Sequence, residues 1–448
     1  MLKKNKSVFL AALTAVIAIV GGVAVIYGHT IVHGQTQLSQ QGYSQDQLQQ
    51  MINGRLTEIS QMQHKTVCDV ANGNNAACAA RVVIGSDGRA RSAASPSAAS
   101  YGPKQFLTAY GLTGLSSASP VPLIAIVDAY DDPNITSDLN TYDSYYHNLY
   151  GSSFPASFPT CTGSIKTATS TCFQKINESG NTSPLPQSNP SWALEISLDV
   201  EIAHATCQNC RILLVEANSA SYSDLFKAVN TAVADKATVV SGSWGGSETS
   251  NEKTYDSNFA TTSVAFTFSA GDGGYGTLYP AASPYVTAVG GTTLLMSTTT
   301  PSIYLSESAW SGTGSGCSLY ETRPSWQTNT IDPSCTKRTM NDVSADANPA
   351  TGAAVYDSVR YDNTSGWFQV GGTSLSSPLI AAIYALQGIP GGSTWANSLP
   401  YAGLGNSSKL HDVKTGSNGS CHNSYLCTAT SGYDGPTGVG TPNGISVF

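Results

Sequence analysis

The chain has 448 residues, of which only 11% are charged, and its formal net charge is −8. That length buries a complete core unaided, and with no basic stripe after the first few residues the composition argues against a nucleic-acid partner. Sparse charge among plentiful Gly, Ser, Thr, Ala and Tyr suits an extracytoplasmic protein in an acidic or harsh medium, where few carboxylates have to be titrated on unfolding.

At the N-terminus, Lys3, Lys4 and Lys6 precede an uncharged, mostly apolar run from Val8 to Tyr27. A basic flank before an apolar stretch reads as a secretory signal, and about 20 residues also suffice for one membrane span. Residues 1–30 are therefore expected to form a signal peptide or a signal-anchor, with the rest secreted or held on the extracytoplasmic side. Gly22-Val23-Ala24 is the small-x-small cleavage pattern near the end of the run. Residues 31 to about 65 are Gln-rich and read as a polar helical stretch, while 84–103 are small, polar and turn-rich, as in a linker or processing site. Together 31–100 form an expected short polar stem or reduced pro-segment, with activating cleavage placed near Arg89–Ser100.

From Tyr101 onward, short apolar runs (Leu123–Val127, Ile212–Val215, Val239–Val240, Val264–Phe268, Tyr285–Val289) alternate with segments long enough for helices. Buried strands with crossovers predict one α/β domain over 101–448, with a mostly parallel sheet and helices on both faces. The ten cysteines fall into five local pairs: Cys68/Cys78, Cys161/Cys172, Cys207/Cys210, Cys317/Cys335 and Cys421/Cys427. In an exported chain these are expected to be disulfides. The Cys207-Gln-Asn-Cys210 unit lacks the second pair that a four-Cys zinc site needs.

Three segments carry candidate chemistry. In Trp192–His204, Leu194, Ile196, Leu198, Val200 and Ile202 alternate with less apolar residues, which alone argues for a strand. Wound as a helix at 100° per residue, the same stretch sets Glu195 and Asp199 about 40° apart on one side, and Ser197 and Glu201 on a separate polar edge. Pattern does not choose between the two. If the helix is right, two carboxyls pressed against protein would raise each other's pKa. The second segment, Phe266–Gly276, is an apolar strand running into a Gly-rich turn that holds Asp272. Such an Asp either bonds its own turn or, kept neutral, donates to an oxyanion. The third, Gly371-Gly372-Thr373-Ser374, leads into the apolar stretch Leu379–Leu386. Ser374 is either a helix cap or a nucleophile at a helix start whose N–H groups face a developing oxyanion. A nucleophilic Ser needs a base, and none of the seven His residues is followed by Gly-Thr.

Taken in order, Glu195-Ile-Ser-Leu-Asp199, Ser269-Ala-Gly-Asp272 and Gly372-Thr-Ser374-Leu-Ser-Ser-Pro378 resemble the motif set of the sedolisins, the serine-carboxyl peptidases. Ser243-Trp244-Gly245-Gly246 resembles that family's segment beside the substrate cleft. The resemblance covers about 100 to 448 and implies a subtilisin-like fold and a serine-type endopeptidase acting on proteins in acid. It implies that Ser374 attacks the scissile carbonyl, Glu195 is the base, Asp199 tunes Glu195 and Asp272 stabilises the oxyanion. Asp128, at the end of a predicted strand, either extends the carboxyl network or caps the strand. The resemblance further implies one structural Ca²⁺ near the C-terminus, held by the carboxylates of Asp412 and Asp434 and the main-chain carbonyls of Val413, Thr430 and Gly432. Oxygen ligands of this kind suit that ion. Thr430 stands where the family usually has Gly, and the segment ahead of the domain is much shorter than the family's folded pro-domain. Two other readings remain: a non-catalytic envelope binding protein on the same fold, and an ordinary Asp-His-Ser subtilase using Asp128 and His204. A monomer is expected.

Overall fold

The computed structural model describes residues 43–117, 119–299, 302–328, 335–389 and 393–448. The apolar run Val8–Tyr27 lies outside the described residues. Among the described residues no helix is long and apolar enough to cross a membrane.

The segment ahead of Tyr101 packs onto the rest of the chain. Its helix α1 (Gln45–Ile59) starts at a Ser44/Gln47 capping box and buries Leu48, Ile52 and Ile59 against Leu295, Ile303 and Leu305. Short strands follow: β1 (Gln63–Thr66), β2 (Ala77–Cys78) and β3 (Arg81–Ile84), then helix α2 (Pro103–Ala109).

The predicted parallel sheet lies beyond. Strand β4 (Leu123–Ala129) leads through α3 (Ile135–Tyr150) to β5 (Phe173–Asn177). From there α4 (Pro190–Thr206), β6 (Arg211–Ala217), α5 (Tyr222–Ala234) and β7 (Val239–Gly242) follow in succession. After the short β8 (Trp244–Ser247) come β9 (Ala265–Ser269), β10 (Thr287–Met296), β11 (Tyr304–Ala309) and β12 (Val343–Asp346). The order across the sheet is β11-β10-β9-β7-β4-β6-β5, with β12 also paired to β10. All these pairings are parallel except β10 with β11. Parallel neighbours require crossovers, and the helices between them cover both faces of this subtilisin-like α/β fold. A second, antiparallel sheet of order β1-β3-β14-β13 joins the N-terminal segment to β13 (Ala353–Tyr361) and β14 (Thr364–Gly371). Helix α6 (Thr373–Gln387) follows directly.

All five cysteine pairs are disulfides.

Candidate active site

Trp192–His204 is helical. Asn189 caps α4 by accepting from the N–H groups of Ser191 and Trp192 at 3.0 and 3.2 Å, and Pro190 sits in the first turn, where its missing N–H costs nothing. Every residue from Trp192 to Thr206 is buried, because the helix lies among α3, α6, β4 and β13. The helix therefore turns both of its polar edges into protein.

One edge carries Glu195 and Asp199, each fully buried. Neither oxygen of Glu195 makes a hydrogen bond. Burial above all, then the nearby Asp199 and Asp128, push its pKa well up; the hydroxyl of Ser374 is close enough to oppose this by favouring the charged form. Asp199 is likewise raised by burial and by Asp128. Asp128 itself, at the end of β4, has no hydrogen bond on either oxygen and is pushed by burial to about 8. So Asp128 joins the carboxyl cluster rather than capping its strand. The position after an apolar strand was the only signal for it in the sequence.

Ser374 stands in the first turn of α6, fully buried. Its hydroxyl donates to the Ser243 carbonyl at 3.4 Å. Pro378 has no N–H to offer the carbonyl of Ser374 one turn back, and the Ser243 hydroxyl approaches that carbonyl instead, at 3.4 Å. The same hydroxyl lies 3.0 Å from Asp199 Oδ1. One proton cannot serve both acceptors. A protonated Asp199 resolves the conflict by donating to Ser243, which is the state its raised pKa favours.

Asp272, past the end of β9, is tied to the same helix start. Its Oδ1 accepts from the N–H and hydroxyl of Thr373 at 2.8 and 3.0 Å. Its Oδ2 has no hydrogen bond and lies 3.6 Å from Arg81 Nε. Burial raises Asp272 to about 7 against the pull of Thr373 and Arg81. Gly372 adopts φ +99°, and a Cβ there would fall 2.5 Å from Asp272 Oδ2. A side chain would fill the space between Asp272 and the helix start, so glycine keeps it open.

His204 is elsewhere. It lies on the other edge of α4, buried, with Nε2 2.9 Å from Asp143 Oδ1 of α3. It partners neither Ser374 nor Asp128, which removes the geometry an Asp-His-Ser triad needs. On that edge Ser197 donates to Asp132 at 3.2 Å, and Glu201 accepts from the Tyr356 N–H at 3.0 Å. Asp132, Asp138 and Asp357 form a buried carboxyl group of three beside it, a cluster that nothing in the sequence pattern singled out.

Near the C-terminus, Asp412 Oδ1 accepts from the Gly432 N–H at 3.0 Å, and Asp434 Oδ2 accepts from the Thr430 N–H at 2.9 Å. Asp412 helps burial raise Asp434 to about 8, so the two carboxyls are neighbours. Among the described residues no backbone N–H donates to the carbonyls of Val413, Thr430 or Gly432. Two carboxyls and three carbonyls are hard oxygens of the kind Ca²⁺ takes, and Asp412 Oδ2, which accepts from Ser431 and pairs with Lys414 at 3.3 Å, would have to exchange those partners for the ion.

A subtilase family model matches residues 195–401. Sedolisin of Pseudomonas sp. (strain 101) is 32% identical over 309 residues, 60% of this chain and 50% of that protein. Kumamolisin of Bacillus sp. (strain MN-32) is 32% identical over 287 residues, 57% of this chain and 50% of that protein. Among solved structures, Pseudomonas sedolisin, a serine-carboxyl proteinase complexed with two molecules of pseudo-iodotyrostatin, matches with a TM-score of 0.62 at 26% identity. That match covers 77% of this chain and 95% of the other. The chain spans about half the length of the curated relatives it matches.

Proposed function

This chain being a relative of the sedolisins in sequence and in fold, we propose that it is a serine-carboxyl endopeptidase that cleaves proteins in acid. The observation that carries the reading is the convergence of Ser374, at a helix start, with buried carboxyls of raised pKa from three separate elements: Glu195 and Asp199 of α4, Asp128 of β4 and Asp272 after β9. Ser374 attacks the scissile carbonyl while Glu195 takes its proton and later returns it to the leaving amine. Asp199, buried beside Glu195 and bonded to Ser243, spreads and shares the negative charge of the base. Asp272, neutral below about pH 7, donates to the oxyanion alongside the Ser374 N–H, and water then releases the acyl group. Above that pH its carboxylate repels the oxyanion, so activity falls. The test is digestion of acid-denatured casein from pH 3 to pH 8. Hydrolysis is expected to peak on the acid side and fade as pH climbs through about 7. Absence of hydrolysis at every pH would leave the binding-module reading instead.

The same reading places the protein outside the cytoplasm, secreted or membrane-anchored, and the five disulfides support it. It also gives the C-terminal donor set a structural role. Asp412 and Asp434 with the carbonyls of Val413, Thr430 and Gly432 would hold Ca²⁺, whose charge would offset the mutual repulsion of the two carboxylates. Chelation with EDTA is then expected to lower Tm, and added Ca²⁺ to restore it. Asp412→Asn should abolish the response, and an EDTA-insensitive Tm in the parent would remove the ion from the account.

A further inference from the structure

Residues 76–82 cross the site in an extended path. Ala77 and Cys78 of β2 pair antiparallel with Gly245 and Trp244 of β8. The Ala79 N–H donates to the Ser243 carbonyl at 2.9 Å, and the Ala79 carbonyl accepts from the Ser374 N–H at 3.0 Å. Beyond it, Arg81 and Val82 of β3 pair antiparallel with Gly371 and Val370 of β14. A Cβ on Gly372 would stand 2.2 Å from the Ala79 oxygen and 2.5 Å from Asp272 Oδ2, so the open space at Gly372 is bordered by that carbonyl and by the oxygen of Asp272 that has no hydrogen bond.

These contacts are those of a substrate in register. The carbonyl that meets the N–H of a nucleophilic Ser at a helix start is the one to be attacked, and strand pairing on both sides fixes its position. Ala79 and Ala80 are 6% and 1% exposed, so no second molecule reaches the bond between them. We propose that the chain is its own first substrate and cuts itself between Ala79 and Ala80. The inference rests on the peptidase reading above and names a substrate for that same site. Ser374 Oγ adds to the Ala79 carbonyl carbon and its proton passes to Glu195. The Ala79–Ala80 C–N bond breaks as Glu195 protonates the Ala80 nitrogen, and water hydrolyses the Ala79 ester to free Ser374. The products are a carboxylate at Ala79 and an amine at Ala80. The bond is not in the turn-rich 84–103 stretch, where sequence alone put a processing site. Until the cut, the segment fills the cleft and the chain is closed to other substrates.

The two pieces stay associated at first, because β1 on one is paired with β3 on the other; the Cys68–Cys78 bridge lies wholly on the N-terminal side. The experiment takes the purified full chain to acid pH and follows it by intact mass and N-terminal sequencing, with casein hydrolysis read in parallel. A new N-terminus, Ala80-Arg81-Val82-Val83, is expected in the parent at a rate independent of protein concentration, with casein hydrolysis rising after a lag. Ser374→Ala should remain uncut at this bond, even when mixed with the parent. A parent that digests casein without lag while the Ala79–Ala80 bond stays intact overturns the inference and leaves the peptidase reading standing. Cutting of Ser374→Ala by the parent at this bond overturns the self-cleavage within one chain. Failure to cut either itself or casein sinks both readings together.

Discussion

Ser374→Ala is expected to lower peptide hydrolysis by roughly 10⁴-fold or more, because removing the nucleophile leaves only binding and oxyanion stabilisation. Glu195→Gln should cost about 10³- to 10⁴-fold, since it keeps the shape of the side chain but removes the proton acceptor. What separates a base from a structural group here is the second readout. Glu195 is buried, and the Ser374 hydroxyl that it approaches can equally meet the oxygen of an amide, so the amide variant should match the parent's Tm or exceed it at neutral pH. Loss of rate with an unchanged or raised Tm marks Glu195 as part of the chemistry. Parental kcat in Glu195→Gln, measured on a peptide substrate, would assign the base to another group.

Stability should fall as pH rises from about 4 to about 8, the reverse of ordinary acid denaturation. Burial holds Asp128 and Asp357 at about 8 and Asp132 and Asp272 at about 7, against 3.8 for the free side chain. Between those limits the folded protein keeps protons that the unfolded chain has released. More protons on the folded state means stability declines with pH, starting near pH 4 and levelling once the folded groups ionise near pH 8. One proton held by the folded state from about pH 4 to about pH 7 corresponds to about 4 kcal/mol, so a Tm drop of about 5 °C or more between pH 4 and pH 8 is expected at fixed calcium. A Tm that is flat or climbs over this range would mean that these carboxyls are ionised in the folded protein.

The sheet was legible from sequence, because its strands are continuous apolar runs bounded by turns, as strands buried on both faces must be. Each predicted run, from Leu123–Val127 to Tyr285–Val289, falls within or overlaps a strand. Trp192–His204 was not legible from pattern, and the reason is physical. Amphipathic periodicity arises when one face meets water, and from Trp192 to Thr206 α4 meets none; its two polar edges face two separate carboxyl clusters, so the alternation of Leu194 to Ile202 carried no information about a strand. Ordered motifs, not periodicity, pointed to Glu195 and Asp199. The segment from Ala76 to Ile84 was harder still. Its strands are two to four residues long and pair with partners far along the chain, so composition made it look like part of a polar stem.

The disulfides bridge separations of only 3 to 18 residues, and no bridge encloses or interleaves with another. For each cysteine the native partner is therefore also a nearest cysteine along the backbone, where the entropy of loop closure is smallest. Oxidation of the reduced, unfolded chain is thereby biased toward correct pairing before any tertiary contact exists, and mispaired species should form a minor share of the products even without an isomerase.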